Sequence, residues 1–395
     1  MPMSETKPGE GEARGPWDPK APGEDEAAAG KGDARHFGCP SCGGQLEWDP
    51  SHAQMKCPYC DSLVDVPSAQ DFVAEEHDLL AFLESHPRAQ GYGVTLTQLT
   101  CRQCGASVQH PAGRRDLTCP FCGSSYVLED EKPPAEVLKP ESLLPFTVGK
   151  QDTESRFASW LGRGWFRPND LKRLGRLDRI AGLYLPFFTF DALARSAWTA
   201  MAGFYYTVQE RVSVVEGGRT VWRQKSVRKV RWEPASGSRS DVYDDVLVPA
   251  IVDERLNLIL KVYPFDLKRL VPYDSRYLTG FGILNPDLAL KAVYGIARNN
   301  MVADQRSRCS KDVPGDTQRD LRVKTDLSEQ TFKHVLCPLW IGSFRYKGKV
   351  YPFVVNGQTG SLYGEKPWSA WKIASALGVA ALVVLLLWWL FGRGG

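Results

Sequence analysis

The sequence predicts an α+β protein in which two small cysteine modules lead into a domain of antiparallel strands, followed by one C-terminal transmembrane helix. Three observations predict it. Eight cysteines recur as four Cys-x-x-Cys pairs, the centre runs strands, helix, strands, and the last apolar stretch carries no charge. At 395 residues there is room for two or three domains. The 49 basic and 46 acidic residues nearly cancel, so any nucleic-acid reading must rest on local patches. A hydrophobic content of 43% supports a buried core.

Residues 1–36 are rich in Gly, Pro, Ala, Glu and Lys, with Trp17 the one large apolar side chain besides two Met. Such a segment buries too little surface to offset its ordering entropy, and it lacks the apolar stretch of a secretory signal. It is expected to be a disordered tail.

The cysteine pairs are Cys39/Cys42, Cys57/Cys60, Cys101/Cys104 and Cys119/Cys122. Adding 62 to each number of the first four gives the last four, so one unit, "CPSCGG…CPYCDS", is duplicated as "CRQCGA…CPFCGS". Each pair points two sulfurs toward one spot, and two such knuckles face to face make a tetrahedral thiolate cage sized for Zn²⁺. The expectation is two zinc ribbons, at residues 37–66 and 99–130, holding two Zn²⁺ ions, one per four-cysteine site. Gly43, Gly105 and Gly123 follow the second cysteine of three knuckles and Asp61 that of the fourth, where a left-handed backbone is needed. The segments between knuckles suit short hairpins, and modules with so little core draw folding energy from the metal. A glutaredoxin-like reading of Cys57-Pro58-Tyr59-Cys60 needs a helix after the motif, but "DSLVDVPS" follows. Disulfides are a third reading, disfavoured in the cytosol. Iron in a rubredoxin-like cage takes the same four ligands. With four thiolates there is no open coordination position, so the sites read as structural.

The first ribbon sets Lys56 against Glu47, Asp49, Asp61 and Asp65; the second sets Arg102, Arg114 and Arg115 against Asp116. Only the second attracts phosphate, and protein-binding surface is the plainer reading of both. Residues 67–98 form a helical linker, where Phe72, Leu79, Leu80 and Leu83 repeat at near-helical spacing on a short amphipathic helix expected to pack on a ribbon.

A Pro-rich connector opens the 131–180 segment, whose "TESRFASWLGRGW" predicts a helix with Phe157, Trp160 and Leu161 inward. An α+β domain follows over 181–365. Aromatic and β-branched runs predict strands from Gly182 to about Leu270, with a hairpin turn at Gly217-Gly218. A helix is expected from Asn285 as cap, with Pro286 in its first turn and Leu288, Ala292 and Ile296 on its inner face. Strands return around Cys337, with turns at Lys347-Gly348 and from Asn356-Gly357 to Gly360. Leu185-Pro186-Phe187-Phe188 and Cys337-Pro338-Leu339-Trp340 hint that two strands begin alike. Cys309 and Cys337 read as partly buried residues rather than nucleophiles. No P-loop, dinucleotide fingerprint, zinc-protease or hydrolase motif is present, so no enzyme and no small-molecule substrate is expected.

Arg219, Arg223, Lys225, Arg228, Lys229 and Arg231 place six positive charges in thirteen residues, with Trp222 and Trp232 nearby. Such a patch can hold nucleic acid, meet anionic headgroups, or simply be a solvated strand face, the plainest of the three readings.

Ile373 to Phe391 is nineteen residues without a charge, about 28 Å of helix, enough for a bilayer. Lys366, Lys372 and Arg393 flank it, and Trp368, Trp371, Trp388 and Trp389 stand at its ends. With no export signal and the apolar run last, the expected arrangement is a single-pass, tail-anchored protein of the inner (cytoplasmic) membrane, its N-terminal part in the cytosol.

The paired ribbons, "RWEPASG", "YDDVLVPA", "YLTGF", the run from Thr331 through "GEKPWSAWKI" and the terminal span resemble a group of uncharacterised bacterial zinc-ribbon membrane proteins. Their ribbons are of the types called transcription factor IIB and LSD1. Members are often labelled primosomal protein N′ or helicase-like; that likeness reaches only the eight cysteines here, since the helicase motor is missing. The resemblance implies metal binding and membrane attachment. The functional expectation is a non-enzymatic scaffold for protein partners at the membrane. The alternative is a membrane-tethered nucleic-acid-binding protein using the second ribbon and the Arg219–Arg231 patch.

Overall fold

A computed structural model describes residues 37–66, 72, 74–85, 96–101, 107–111, 119, 127–130, 138–171, 176–217, 219–252 and 256–391. The tail expected over 1–36 lies outside them. The first part of the chain forms β1 (Glu47–Asp49), β2 (Gln54–Lys56), β3 (Leu63–Val64), β4 (His77–Asp78), α1 (Leu79–Ser85), β5 (Leu96–Cys101), β6 (Ser107–Pro111) and β7 (Val127–Asp130). Next come β8 (Ser142–Leu143), α2 (Lys150–Leu161), β9 (Arg176–Glu216), β10 (Arg219–Tyr243), β11 (Val248–Pro249), β12 (Val271–Pro272) and β13 (Gly282–Ile283). The remainder is α3 (Leu290–Asp312), β14 (Thr317–Tyr346), β15 (Lys349–Asn356), β16 (Leu362–Gly364) and α4 (Ala370–Phe391). The architecture is mixed helix and sheet, with mainly antiparallel pairing.

The core is built where β9 and β14 pair antiparallel, Leu185 opposite Cys337. Here both strands read as unbroken apolar runs, as strands covered on both faces must. Phe187, Leu339, Phe190 and Phe332 are fully buried. Cys337 is buried in β14 and Cys309 in α3, and burial pushes both thiols up, which disfavours the thiolate.

The hint of two similar strands has a counterpart in register. Leu183 and Tyr184 of β9 take a parallel partner in β13; Val335 and Leu336 of β14, each 152 further on, take one in β8. The Pro186 carbonyl accepts from Ala250 N and the Pro338 carbonyl from Gly357 N, both at 2.9 Å. Phe187 and Phe188 pair with β11, and Leu339 and Trp340 with β15. The two segments are therefore related by a local two-fold about the Leu185/Cys337 pair, but both lie inside long strands rather than beginning them.

Both halves continue into hairpins closed by two-residue turns. Tyr346 opposite Lys349 encloses Lys347-Gly348, both at positive φ (48° and 80°) as a tight hairpin turn requires. Glu216 opposite Arg219 closes the other hairpin where the sequence predicts it, with Gly217 at φ 57°; Gly218 lies outside the described residues. The β9–β10 hairpin is far longer. It starts as a three-stranded sheet with β14, which leaves β9 at Gly203. Residues 204–216 and 219–231 then run on as two strands alone, a projecting arm of about 43 Å at ~3.3 Å per residue. No described side chain from 204 to 232 is buried; Gly203, just before the arm, lies beneath Trp232. Register shifts in β14 coincide with positive φ at Asp320 (57°) and Glu329 (53°), bulges that bend the long strand.

The helices follow the sequence with three corrections. Strands expected to run to about Leu270 stop at Pro249 among the described residues; a short helix at Leu256–Ile259 and 3-10 turns at Leu260–Val262 and Leu267–Arg269 follow, burying Ile259 and Val262 in the core. Phe157 and Leu161 of α2 are buried and Trp160 partly so, as expected. Within the 67–98 linker, the described residues that are helical are 79–85. His77 and Asp78 pair with β14 instead, and the Asp78 carboxylate accepts from Ala81 N at 2.7 Å, starting the helix there. Leu79, Phe82 and Leu83 pack against Phe332 and Phe188, not against a ribbon. In the larger helix the start is Leu290, capped at Ala289 rather than Asn285. Asp287 N and Leu288 N both donate to the Ala250 carbonyl, which holds that stretch extended beside β11. The buried stripe is Val293, Ala297, Met301, Gln305 and Cys309, while Ile296 is exposed. The stripe keeps the expected spacing of four but sits one residue later, since the sheet and not the cap sets the helix's rotation.

Candidate functional site

Cys39 and Cys42 lie on the turn before β1, Cys57 and Cys60 on the turn after β2. In the first knuckle Gly43 N donates to the Cys39 carbonyl (2.8 Å), and in the second Asp61 N donates to the Cys57 carbonyl (3.0 Å). Gly43 and Asp61 have φ of 73° and 59°, the left-handed backbone that lets each turn fold back under its sulfurs. Cys39 Sγ stands 3.6 Å from Cys60 Sγ, and Cys42 Sγ 3.5 Å from Cys57 Sγ. All four sulfurs lie within 4.8 Å of one another. Sulfurs at the corners of a tetrahedron with metal–sulfur bonds of about 2.3 Å stand about 3.8 Å apart. The four cysteines thus form a cluster that can hold a metal ion.

The thiol chemistry agrees. Burial opposes ionisation of Cys39, but the Ser41 and Cys42 N–H groups and the neighbouring thiols bring it down to about 6. At Cys42 the Gly44 N–H favours the thiolate, yet the Cys60, Cys57 and Cys39 thiols prevail and push it up to about 12. Cys60 is also lowered, by hydrogen bonds from the Ser62 hydroxyl and N–H. Two of the sulfurs are thus eased toward thiolate while Cys42 is held back by their charge, and a cation at the centre removes that resistance. Four sulfurs at tetrahedral spacing can fill all the positions of a four-coordinate ion.

This unit is not free-standing. Cys39, Leu46, Trp48, Met55 and Cys57 share one core with Phe146, Tyr184, Phe281 and Trp340. The Trp48 indole donates to the Phe146 carbonyl at 3.0 Å and meets the Tyr277 ring edge-on at 4.6 Å. Its buried face is therefore supplied by the α+β core, which the short apolar run of the module could not reveal.

The second unit keeps the same frame where it is described. Gly38 pairs antiparallel with Gln45, and Thr100, 62 residues on, pairs with Ser107. Cys101 and Cys119, the equivalents of the buried Cys39 and Cys57, are themselves buried, beside Val108, Leu144 and Leu183. Cys104, Cys122, Gly105 and Gly123 lie outside the described residues. Through β6, whose Gln109 pairs with Ile283 of β13, this unit joins the main sheet.

The six basic residues all lie on β10 in the projecting arm. Strand alternation puts Arg223, Lys225, Lys229 and Arg231 on one face and Arg228 on the other; Arg219 is placed by register opposite Glu216. Part of the charge is paired: Lys229 Nζ is 2.6 Å from Glu210 and Arg231 Nε 2.8 Å from Glu233. Arg228 lies over the Tyr205 ring, and Trp222 is 68% exposed. The outer edge of β10 pairs with no other described strand, so these charges also blunt an open edge.

Helix α4 is long and apolar enough to cross a membrane: Ala370–Trp389 has mean hydropathy 2.2 and none of that window is buried. Sequence reasoning missed what lies beside its start. The loop at 162–168 packs on the chain leading into α4: Ser369 N donates to the Phe166 carbonyl (2.9 Å) and Lys372 Nζ to the Trp165 carbonyl (3.0 Å). The signal was "GRGWFRPN", basic and aromatic with no acid.

A carboxylate group formed by Asp191, Asp244 and Asp245 also has ligand-like spacing. Buried Lys333 lies beside it, ion-paired to Asp245 at 2.8 Å and to Glu76 at 3.2 Å, so one of the three carboxylates already has a cation.

No protein-family model matches the chain, and no solved structure matches it. A Bacillus subtilis (strain 168) protein described as uncharacterized protein YdjG is 25% identical over 241 residues, covering 60% of this chain and 67% of that protein.

Proposed function

We propose that the chain is a non-enzymatic, membrane-anchored zinc protein: two zinc ribbons and the α+β domain form a protein-interaction scaffold that α4 holds at the bacterial inner membrane. The observation that carries this reading is the Cys39/Cys42/Cys57/Cys60 cluster built into the same core as the body that bears the bare apolar helix. The shared register and matched burial at Cys101 and Cys119 support a second ion, held with Cys104 and Cys122. The resemblance to tandem-ribbon membrane proteins fits both. Lys366 and Lys372, joined by Arg163 and Arg167 from the packed loop, put positive charge on the body side of the helix, which favours a cytosolic body.

One observation favours a second reading, a tethered nucleic-acid-binding protein: the basic residues are concentrated on an exposed arm that also carries Tyr205, Tyr206 and Trp222. The arm's ion pairs and its open edge weigh toward the scaffold. Fractionation and filter binding test both readings. The scaffold predicts a chain that stays in the membrane pellet through alkaline carbonate and retains neither single- nor double-stranded DNA at any salt. Release by carbonate overturns the anchor. DNA retention that falls steeply with salt and disappears on Arg223→Gln/Lys225→Gln replaces the scaffold with the second reading.

A further inference from the structure

Four cations gather where α4 leaves the body. Lys366 Nζ donates to the Trp160 and Arg163 carbonyls, the latter at 3.0 Å, and its ammonium lies over the Trp160 ring at 4.0 Å. Arg167 Nη1 donates to the Lys366 and Pro367 carbonyls at 2.7 and 3.2 Å, with its guanidinium 4.2 Å from the Trp368 ring. Lys372 holds the Trp165 carbonyl, and Arg163 lies close enough to repel the Lys366 charge. Among the described residues no carboxylate forms an ion pair with any of the four. These cations use carbonyl oxygens and aromatic faces, which satisfy donors but cancel no charge. Burial first, then the repulsion of Arg167 and Arg163, brings Lys366 down to about 8.

The aromatic residues around it point outward. Trp165 and Trp371 are each 82% exposed and Trp368 is 64% exposed, at the level of the first turn of α4. Gly164 at φ 119° lets the loop turn back so that Trp165 stands clear of the body. Exposed tryptophans beside cations, level with the start of a bilayer-length apolar helix, are what a headgroup layer accommodates.

We propose that the 162–168 loop and the segment Lys366–Lys372 form a headgroup site for one anionic phospholipid, its phosphate among Arg163, Arg167, Lys366 and Lys372 and its glycerol region against Trp165 and Trp368. The site rests on the reading of α4 as a membrane span. It docks the soluble body against the bilayer and limits its tilt on the helix.

The test is native mass spectrometry of the full chain in detergent with equal phosphatidylglycerol and phosphatidylcholine. The wild type is expected to retain the anionic lipid about tenfold over the zwitterionic one. Arg163→Gln is expected to lower that ratio by about fivefold, as loss of one cation near a phosphate should. This variant keeps the Arg163 carbonyl that anchors Lys366, so the loop still folds. Trp165→Ser, at an exposed position, is expected to weaken retention of both lipids. Equal retention of the two lipids by the wild type, or an unchanged ratio in Arg163→Gln, overturns the proposal. Displacement of the lipid by millimolar inorganic phosphate also overturns it, in favour of a free-anion site. If carbonate releases the wild type, the membrane reading fails and the lipid site with it. If the chain stays embedded but shows no preference, only the lipid site fails.

Discussion

The imidazole of His334 is fully buried and stacks on Phe188 at 4.7 Å, while its backbone N–H donates to Glu141 Oε2 at 2.7 Å. Burial brings the ring down to about 4, against the pull of Glu141. Its folded value lies below the unfolded 6.5, so falling pH protonates the unfolded chain first. The stability it confers is present above about pH 6.5 and lost toward pH 4, about 3 kcal/mol in all. His77 runs the other way: its bond to Glu141 raises it, so its contribution is full below 6.5 and lost as pH rises through the folded value. His334→Leu is therefore expected to flatten the fall in thermal stability between pH 6.5 and 4 and to leave the His77 limb intact. An unchanged slope would assign the acid loss elsewhere. Individual residues were legible in the sequence where local chemistry decides them. Gly43 and Asp61 adopt the left-handed turn their place after the second cysteine requires. The role of His334 was not, since its burial depends on pairing with Phe188, 146 residues earlier in the chain.

At the scale of elements, the hairpin turns at Gly217-Gly218 and Lys347-Gly348 were legible because two residues carry the whole instruction. The starts of α3 and α1 were not, because tertiary contacts set both: the Ala250 carbonyl for one, pairing of His77 with Phe332 for the other. The great length of β9 was hidden for a related reason. Its apolar first half is covered by the core, and its polar second half forms the arm, so no single hydrophobic period runs through it. Beyond Gly203 the arm meets no third strand, and its described side chains add nothing to the buried clusters. Removing residues 207–228 and joining the stubs through a two-residue turn is expected to leave the melting temperature within a few degrees. A large drop would show that the arm supports the core and is not a free projection.

Taken whole, the molecule seats the first cysteine cluster at the edge of its core, Cys39 and Cys57 buried with Phe146, Tyr184 and Trp340 while Cys42 and Cys60 stay exposed, and continues the second unit into the main sheet through β13, with Cys101 and Cys119 buried beside Leu185 and Cys337. The cysteine frame and the apolar helix were legible because each is a local pattern. Their integration was not, because Trp48 and Phe146 meet across 98 residues. An ion here is thus expected to stabilise the whole body, not one small module. The most direct measurement is the metal content of the full chain extracted from membranes, determined by elemental analysis beside the Cys39→Ser/Cys57→Ser and Cys101→Ser/Cys119→Ser variants. The account predicts two zinc ions per chain, and one in each double variant. Wild-type protein carrying no bound metal, or variants that keep the wild-type content, would contradict it.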